Sequence, residues 1–244
     1  MLKISNLKKH FGGVKAVDGC SFEIANNKIT ALIGPNGSGK TTVFNLISGI
    51  LKADSGKITF NKQDITNMRV HKISNLGISR LFQQERLFAN LTVKDNLLLA
   101  LDNIDTKFWK NMFGYKIPEE KEKLAKKVVD IVGISLIQEK LARDLSFGQK
   151  RLVEIARAII NPHKLLMLDE PVAGVNPRLR KAIAQLLINL KKENETILLI
   201  EHDMHFTLKI ADHVIVLDEG QVIAQGTPKQ IKNNKKVLEA YLGE

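Results

Sequence analysis

The eight residues Gly34-Pro35-Asn36-Gly37-Ser38-Gly39-Lys40-Thr41 constrain this chain more than any other feature. They fit G-x-x-x-x-G-K-[ST] and follow Ile29 to Ile33, an apolar run broken only by Thr30. Such a run reads as a strand buried on both faces, as in a parallel sheet covered by helices. Thr42 to Ile50 has a helical pattern. Strand, glycine loop and helix in that order are the setting the motif requires. The glycines let successive N–H groups turn inward on phosphate oxygens, and the helix dipole favours the negative charge. Lys40 is then expected to reach the β and γ phosphates of a nucleoside triphosphate, and the Thr41 hydroxyl to bind Mg²⁺. Thr42 reads as the next helix residue at the phosphates and not as a second metal ligand.

The rest of the pattern builds an α/β protein around that loop. Before it, alternating apolar positions (Leu2, Ile4, then Phe22, Ile24) broken by Gly12-Gly13 and Asn26-Asn27 predict antiparallel β structure. A further β region is expected near Lys57 to Phe60. From about Thr92 to Ile160 helical signals dominate. Thr92-Val93-Lys94-Asp95 opens one helix as a cap, Pro118 another at a first-turn position, and Ser146-Phe147-Gly148-Gln149 a third. Strands return at Leu165 to Leu168, Ile197 to Ile200 and Val214 to Leu217. An amphipathic helix carrying Leu179, Ile183, Leu186, Leu187 and Leu190 separates the first two. Strand, helix, strand implies a parallel sheet.

Leu165 to Leu168 ends in Asp169-Glu170, and open α/β sheets bind their ligands at the carboxyl ends of strands. Asp169 fits a holder of Mg²⁺, and Glu170 a base or polariser for an attacking water. Ile197 to Ile200 ends at the same edge in Glu201-His202-Asp203, which places the His202 imidazole near a γ-phosphate as a hydrogen-bond donor. His10, His71, His163, His205 and His213 have no such placement.

Composition narrows the class. A chain of 244 residues, 44% hydrophobic and 26% charged, can bury a substantial core. Its apolar runs, such as Leu97 to Leu101, fall far short of the roughly 20 residues of a membrane span. Met1 to Ser5 lacks the apolar stretch of a secretory signal, and Cys20 is the single cysteine, so a cytoplasmic location is expected. The net charge of +11 raises nucleic acid or an anionic membrane as partners. Yet Lys121, Lys123, Lys126 and Lys127 alternate with Glu119, Glu120 and Glu122, without interleaved aromatics, which favours a solvated helix face. No nucleic-acid partner is expected.

Gly34 to Thr41, Gln83, Leu145-Ser146-Phe147-Gly148-Gln149, Asp169-Glu170 and His202, in that order, resemble the nucleotide-binding domain of ABC transporters over nearly the whole chain. The resemblance implies a P-loop NTPase (RecA-like) α/β core with an antiparallel β subdomain, over 1–89 and 161–226. A helical subdomain carrying the signature would span 90–160, and a C-terminal helical tail 227–244. It implies ATP and Mg²⁺ as cofactors. Gly34, Pro35, Asn36, Gly37, Ser38, Gly39, Lys40, Thr41 and Thr42 would bind ATP, with Phe11 stacked on adenine. Thr41, Gln83 and Asp169 would hold the metal; Glu170, His202, Gln83 and Lys40 would be catalytic. Gln83, with Gln84 as its rival, would report nucleotide state to a membrane subunit.

The resemblance also implies a head-to-tail dimer. Ser146, Phe147, Gly148 and Gln149 would meet the ATP of a second ATPase subunit, identical or not, because a capped helix start offers free N–H groups to phosphate. Phe147 stands where a glycine is usual, and Asn176 where an aspartate is common.

Phe11-Gly12-Gly13, Phe82 to Phe88, Glu201-His202-Asp203-Met204 and Tyr241-Leu242-Gly243-Glu244 are most similar to the first ATPase subunit of branched-chain amino-acid importers, whose relatives handle urea and other amides. That group implies polytopic permease partners, a substrate-binding protein acting indirectly, and a place on the inner face of the membrane. The ATPase of lipopolysaccharide extraction, a soluble ABC ATPase acting on ribosomes or DNA, and a P-loop kinase or GTPase are the rival readings.

Overall fold

The computed structural model describes residues 1–81, 87–101 and 118–242. Contacts divide them into two compact units, Met1–Arg80 with Lys164–Glu170 and Leu187–Glu244, and Leu81–His163 with Pro171–Leu186. The sequence order had placed Pro171–Leu186 with the core. A connector between two strands gives no sign in sequence of which neighbours it packs on.

The first unit holds two sheets among the described residues. β1 (Leu2–Phe11) and β2 (Val14–Ile24) form an antiparallel hairpin, with β4 (Ser55–Phe60) on the other side of β1 and the short β5 (Gln63–Asp64) at the edge. The second sheet has the order β10-β9-β3-β8-β7-β6, with β3 (Ile29–Ile33), β6 (Ile78–Leu81), β7 (Leu165–Asp169), β8 (Ile197–Ile200), β9 (His213–Asp218) and β10 (Gln221–Gly226). β7, β8, β3 and β9 run parallel, and β10 turns back against β9.

Continuous apolar runs in β3 and β9 still alternate by face. Leu32, Ile215 and Leu217 join a core shared with the antiparallel sheet and the helix Lys40–Ile47, through residues such as Leu2, Phe22 and Phe44. Ala31, Ile33, Val214 and Val216 point the other way, onto Ile231 and Val237 of the C-terminal helices Pro228–Lys232 and Lys235–Leu242. A strand apolar on both faces therefore serves two cores at once.

In the second unit the helices Val93–Leu101, Glu119–Val132 and Phe147–Ile160 pack together. The Thr92 cap is reciprocal: Asp95 N–H donates to Thr92 Oγ at 3.0 Å, and Thr92 Oγ to Asp95 Oδ2 at 2.6 Å. Asn96, fully buried, accepts from Phe88 N–H at 2.9 Å and donates to Phe88 O at 3.1 Å, which satisfies a polar core residue locally. Pro118 is the N-cap, one position earlier than its sequence role, and Glu119 begins the helix, paired with Lys123 at 2.8 Å. Glu122 accepts from Lys94 at 3.1 Å. The helix Pro177–Lys192 runs from this unit's residues into those of the first. No described helix is long and apolar enough to cross a membrane.

Candidate functional site

The loop after β3 keeps the shape its glycines permit. Gly34 has φ 153°, and a Cβ there would lie 2.0 Å from the Leu217 carbonyl oxygen; Gly39 has φ 100°, with 2.2 Å to Ala16 O. Neither place admits a side chain. Gly37, at φ 78°, faces open space. Lys40 is the first residue of the helix Lys40–Ile47, and Gly39 caps that helix without a side-chain bond. Its first-turn N–H groups therefore stay available to an anion. Lys40 is 7% exposed and its Nζ donates to Gly34 O and Pro35 O, each at 2.8 Å. The ammonium thus braces the loop from inside while lying where phosphate would meet it.

Beside the loop is a cavity of about 630 Å³. Asn36, Gly37, Gly39, Lys40, Thr41 and Thr42 form one side of it, and Glu170 joins them. Ser38 is buried behind the loop, and its carbonyl accepts from Gly220 N–H at 3.1 Å, while Gly220 O accepts from Asp18 N–H at 2.9 Å. Those two bonds fasten the β9–β10 turn and β2 to the loop. They explain why Glu219, Gln221, Val14, Lys15, Ala16 and Asp18 complete the wall. No motif in the sequence marks these residues.

Asp18 lies beside Lys15 (3.3 Å), His10 (3.7 Å) and Lys8 (3.8 Å). The hydrogen bond from Lys15 leads in holding its carboxyl below the usual range. Phe11, expected on adenine, is 46% exposed at the end of β1 under the Lys9 ammonium, 5.3 Å from the ring centre, and is not among the lining residues. Val14 of β2 lines the cavity instead.

Asp169 and Glu170 stand at the carboxyl end of β7, and they are not equivalent. Asp169 is 1% exposed, with Oδ2 3.2 Å from Arg80 Nη2. Glu170 has a left-handed backbone, φ 48°, with its N–H bonded to Ile200 O at 3.0 Å. His202 Nδ1 lies 3.6 Å from Glu170 Oε1. Adjacent parallel strands thus bring the carboxylate and the imidazole side by side. Gln83 and Gln84 lie outside the described residues.

The residues fit a magnesium-bound triphosphate. The cradle is lined by N–H groups and Lys40, Thr41 is exposed to it, and Asp169 ends β7, the next strand but one from β3. Among the described residues no three His, Cys, Asp or Glu cluster to cage a metal by themselves. Mg²⁺ at triphosphates needs only one or two protein carboxylates, much of its shell being phosphate and water.

In the second unit, Ser146 Oγ accepts from Gln149 N–H at 3.4 Å and Gln149 Oε1 from Ser146 N–H at 3.0 Å, a complete capping box. Phe147 is 53% exposed, and its ring lies against Gly174, where a Cβ would be 3.0 Å from Cε1. Gly148 has no such room: a Cβ would meet Leu179 Cδ2 at 2.5 Å. The aromatic therefore fits where it stands, whereas a side chain at Gly148 would have to displace the end of Leu179. Asn176 caps the next helix, accepting from Leu179 N–H at 2.9 Å. Ser146 to Gln149, Gly174 and Asn176 share a second cavity of about 500 Å³.

A phosphate-cradling loop at the carboxyl edge of a parallel sheet, with an acidic pair on the next-but-one strand, defines a P-loop nucleoside-triphosphatase core. The chain belongs to the ABC transporter family, which matches residues 17–173; the branched-chain amino acid ATP-binding cassette transporter family matches residues 221–244. The chain is 40% identical to the probable branched-chain amino acid transport ATP-binding protein LivG of Archaeoglobus fulgidus, over 100% of this chain and 95% of that protein. It is 38% identical to the high-affinity branched-chain amino acid transport ATP-binding protein BraF of Pseudomonas aeruginosa, over 100% and 98%. Among solved structures it resembles a nucleotide-free ATP-binding cassette from an ABC transporter, with TM-score 0.87 and 38% identity over 100% of this chain and 99% of that one.

Proposed function

We propose that this chain is the ATP-hydrolysing subunit of an ABC importer that takes up branched-chain amino acids or related small amide substrates. Relatives matched over nearly their whole length are named as branched-chain amino acid transport ATP-binding proteins, which supports this reading. The single observation that carries the chemistry is the convergence of the Lys40 cradle and Glu170, with His202 beside it, at one edge of one sheet.

The N–H groups of Gly34 to Thr41 and the Lys40 ammonium bind the phosphates and neutralise charge that grows on the γ-phosphoryl group. Thr41, Asp169 and Gln83 would hold Mg²⁺, which would supply positive charge to offset that of the phosphates. Glu170 orients and deprotonates the attacking water. His202 donates to a γ-phosphate oxygen and restrains Glu170. Phe11 would stack on adenine from the end of β1, where it pairs with Val14, a residue of the cavity wall.

The Ser146–Gln149 cap serves the ATP of a second ATPase subunit, and the helical unit serves polytopic permease subunits at the inner face of the membrane. A substrate-binding protein acts through that permease. Affinity-tagged chain should co-purify a hydrophobic polytopic protein and change its retention with Mg-ATP; recovery of nucleic acid or ribosomes in its place would contradict this reading. Gel filtration of Glu170→Gln with Mg-ATP and the co-purified ATPase subunits should show a closed pair, because binding proceeds and opening by hydrolysis does not.

A further inference from the structure

Arg80 belongs to none of the motifs read from the sequence. It stands in the four-residue strand β6 with a side chain 7% exposed. Its Nη1 donates to Asn45 Oδ1 at 2.8 Å and to Ser48 Oγ at 2.7 Å, both at the helix that follows the phosphate loop. Its Nη2 reaches Asp169 Oδ2 at 3.2 Å, and the guanidinium lies over the Phe44 ring at 5.5 Å.

The lengths rank these contacts. The two bonds to the helix region are short, whereas that to Asp169 exceeds the about 2.7–2.9 Å usual between charged partners. The arginine is therefore anchored on the helix side and offers its second arm to the carboxylate. Planar guanidinium suits that task, because its nitrogens point in fixed directions. The same helix carries Lys40 and Thr41 in its first turn. Arg80 thus joins the two elements that must bring Thr41 and Asp169 to one divalent cation.

We propose that Arg80 is a positioning residue for the divalent-cation site: it clamps Asp169 to the helix bearing Thr41, so that both oxygen ligands are set before the metal arrives. The inference rests on the reading of this site as one for Mg-ATP. Two effects of the guanidinium oppose each other. Its charge competes with the metal for Asp169, and its geometry orients that group. Because the contact is loose at the carboxylate and tight at the anchor, orientation prevails. Outer partners of this kind typically change metal affinity by about 10–100-fold when removed.

The test is a titration of the full chain with trinitrophenyl-ATP, once in EDTA and once in Mg²⁺. In the wild type Mg²⁺ should tighten binding. In Arg80→Met the affinity in EDTA should stay as in wild type while the tightening by Mg²⁺ falls about tenfold; Arg80→Lys, which keeps an N–H donor for Asp169 without the fork, should recover part of it. If Arg80→Met does not fold, Asn45→Ala with Ser48→Ala frees the anchor and leaves both charges, and a smaller loss of the same kind is expected. Undiminished tightening in these variants would overturn the proposal. So would stronger tightening, which would make Arg80 a competitor of the metal, or an equal loss with and without Mg²⁺, which would make its role merely structural. Absence of tightening in the wild type would instead sink the Mg-ATP reading, and the proposal with it.

Discussion

His202 Nδ1 stands 3.6 Å from Glu170 Oε1, with the imidazole more than half exposed and the carboxylate about one quarter. Glu170 directly follows the last residue of β7, His202 lies two residues beyond the last of β8, and Glu170 N–H is bonded to Ile200 O. Glu170 achieves this with φ 48°, uncommon for a residue with a side chain and costly enough to need support from its surroundings. His202→Ala should lower turnover by about 100-fold, within the range of removing one preorganised donor, and leave Mg-ATP binding nearly intact. Phosphate release beside equilibrium binding checks both parts. His202→Gln, which keeps a donor, should lose less.

Lys40 has two duties. Its bonds to Gly34 O and Pro35 O hold the loop, and a triphosphate adds charged acceptors to the same ammonium. Lys40→Ala should weaken Mg-ATP binding by about 3 kcal/mol, roughly 100-fold, since a charge-assisted bond is lost and the loop loosens. Isothermal titration checks this; a loss below a few-fold would place the phosphates elsewhere.

The glycines separate stability from binding. Gly34→Ala drives a methyl into Leu217 O, and overpacking of that kind costs about 3 kcal/mol, or a melting temperature lower by about 6–12 °C in a chain of this size. Gly37→Ala meets nothing within 4 Å and pays mainly for its positive φ, about 1–2 kcal/mol. Its methyl would occupy the open side of the cradle, so nucleotide affinity should suffer more than melting. Thermal denaturation and titration of the two variants should give opposite rankings.

What was legible in the sequence and what was not divides along physical lines. β3, β7, β8 and β9 announced themselves because strands buried on both faces need uninterrupted apolar residues. The caps at Thr92 and Ser146 were legible because a cap is local, its donor and acceptor three residues apart. β6 and β10 were not: Ile78-Ser79-Arg80-Leu81 is short and half polar, and β10 is only partly buried. Glu170's positive φ and the Arg80–Asp169 pair could not be read, since they arise from strands distant in sequence. The cavity wall of Val14, Lys15, Asp18 and Gln221 was missed for the same reason, whereas Phe11 drew attention only as an aromatic.

Cys20 is fully buried in β2, and burial pushes its thiol pKa up to about 12. An ordinary thiol ionises near pH 8.5 and reacts as the thiolate. Raising the pH from about 7 to 9 should therefore leave maleimide labelling of the folded chain slow, though it accelerates an ordinary exposed thiol. Labelling in denaturant should be fast. Rapid reaction in the folded chain would mean that β2 opens readily beside the nucleotide cavity it walls.

The most direct measurement is phosphate release and Mg-ATP binding by Glu170→Gln beside wild type, with the same permease and ATPase partners supplied to both. If Glu170 activates the attacking water, the variant binds Mg-ATP as the wild type does and releases phosphate about 10²–10⁴-fold more slowly. Phosphate release at the wild-type rate would contradict the account, because no role for Glu170 at the γ-phosphate would survive it.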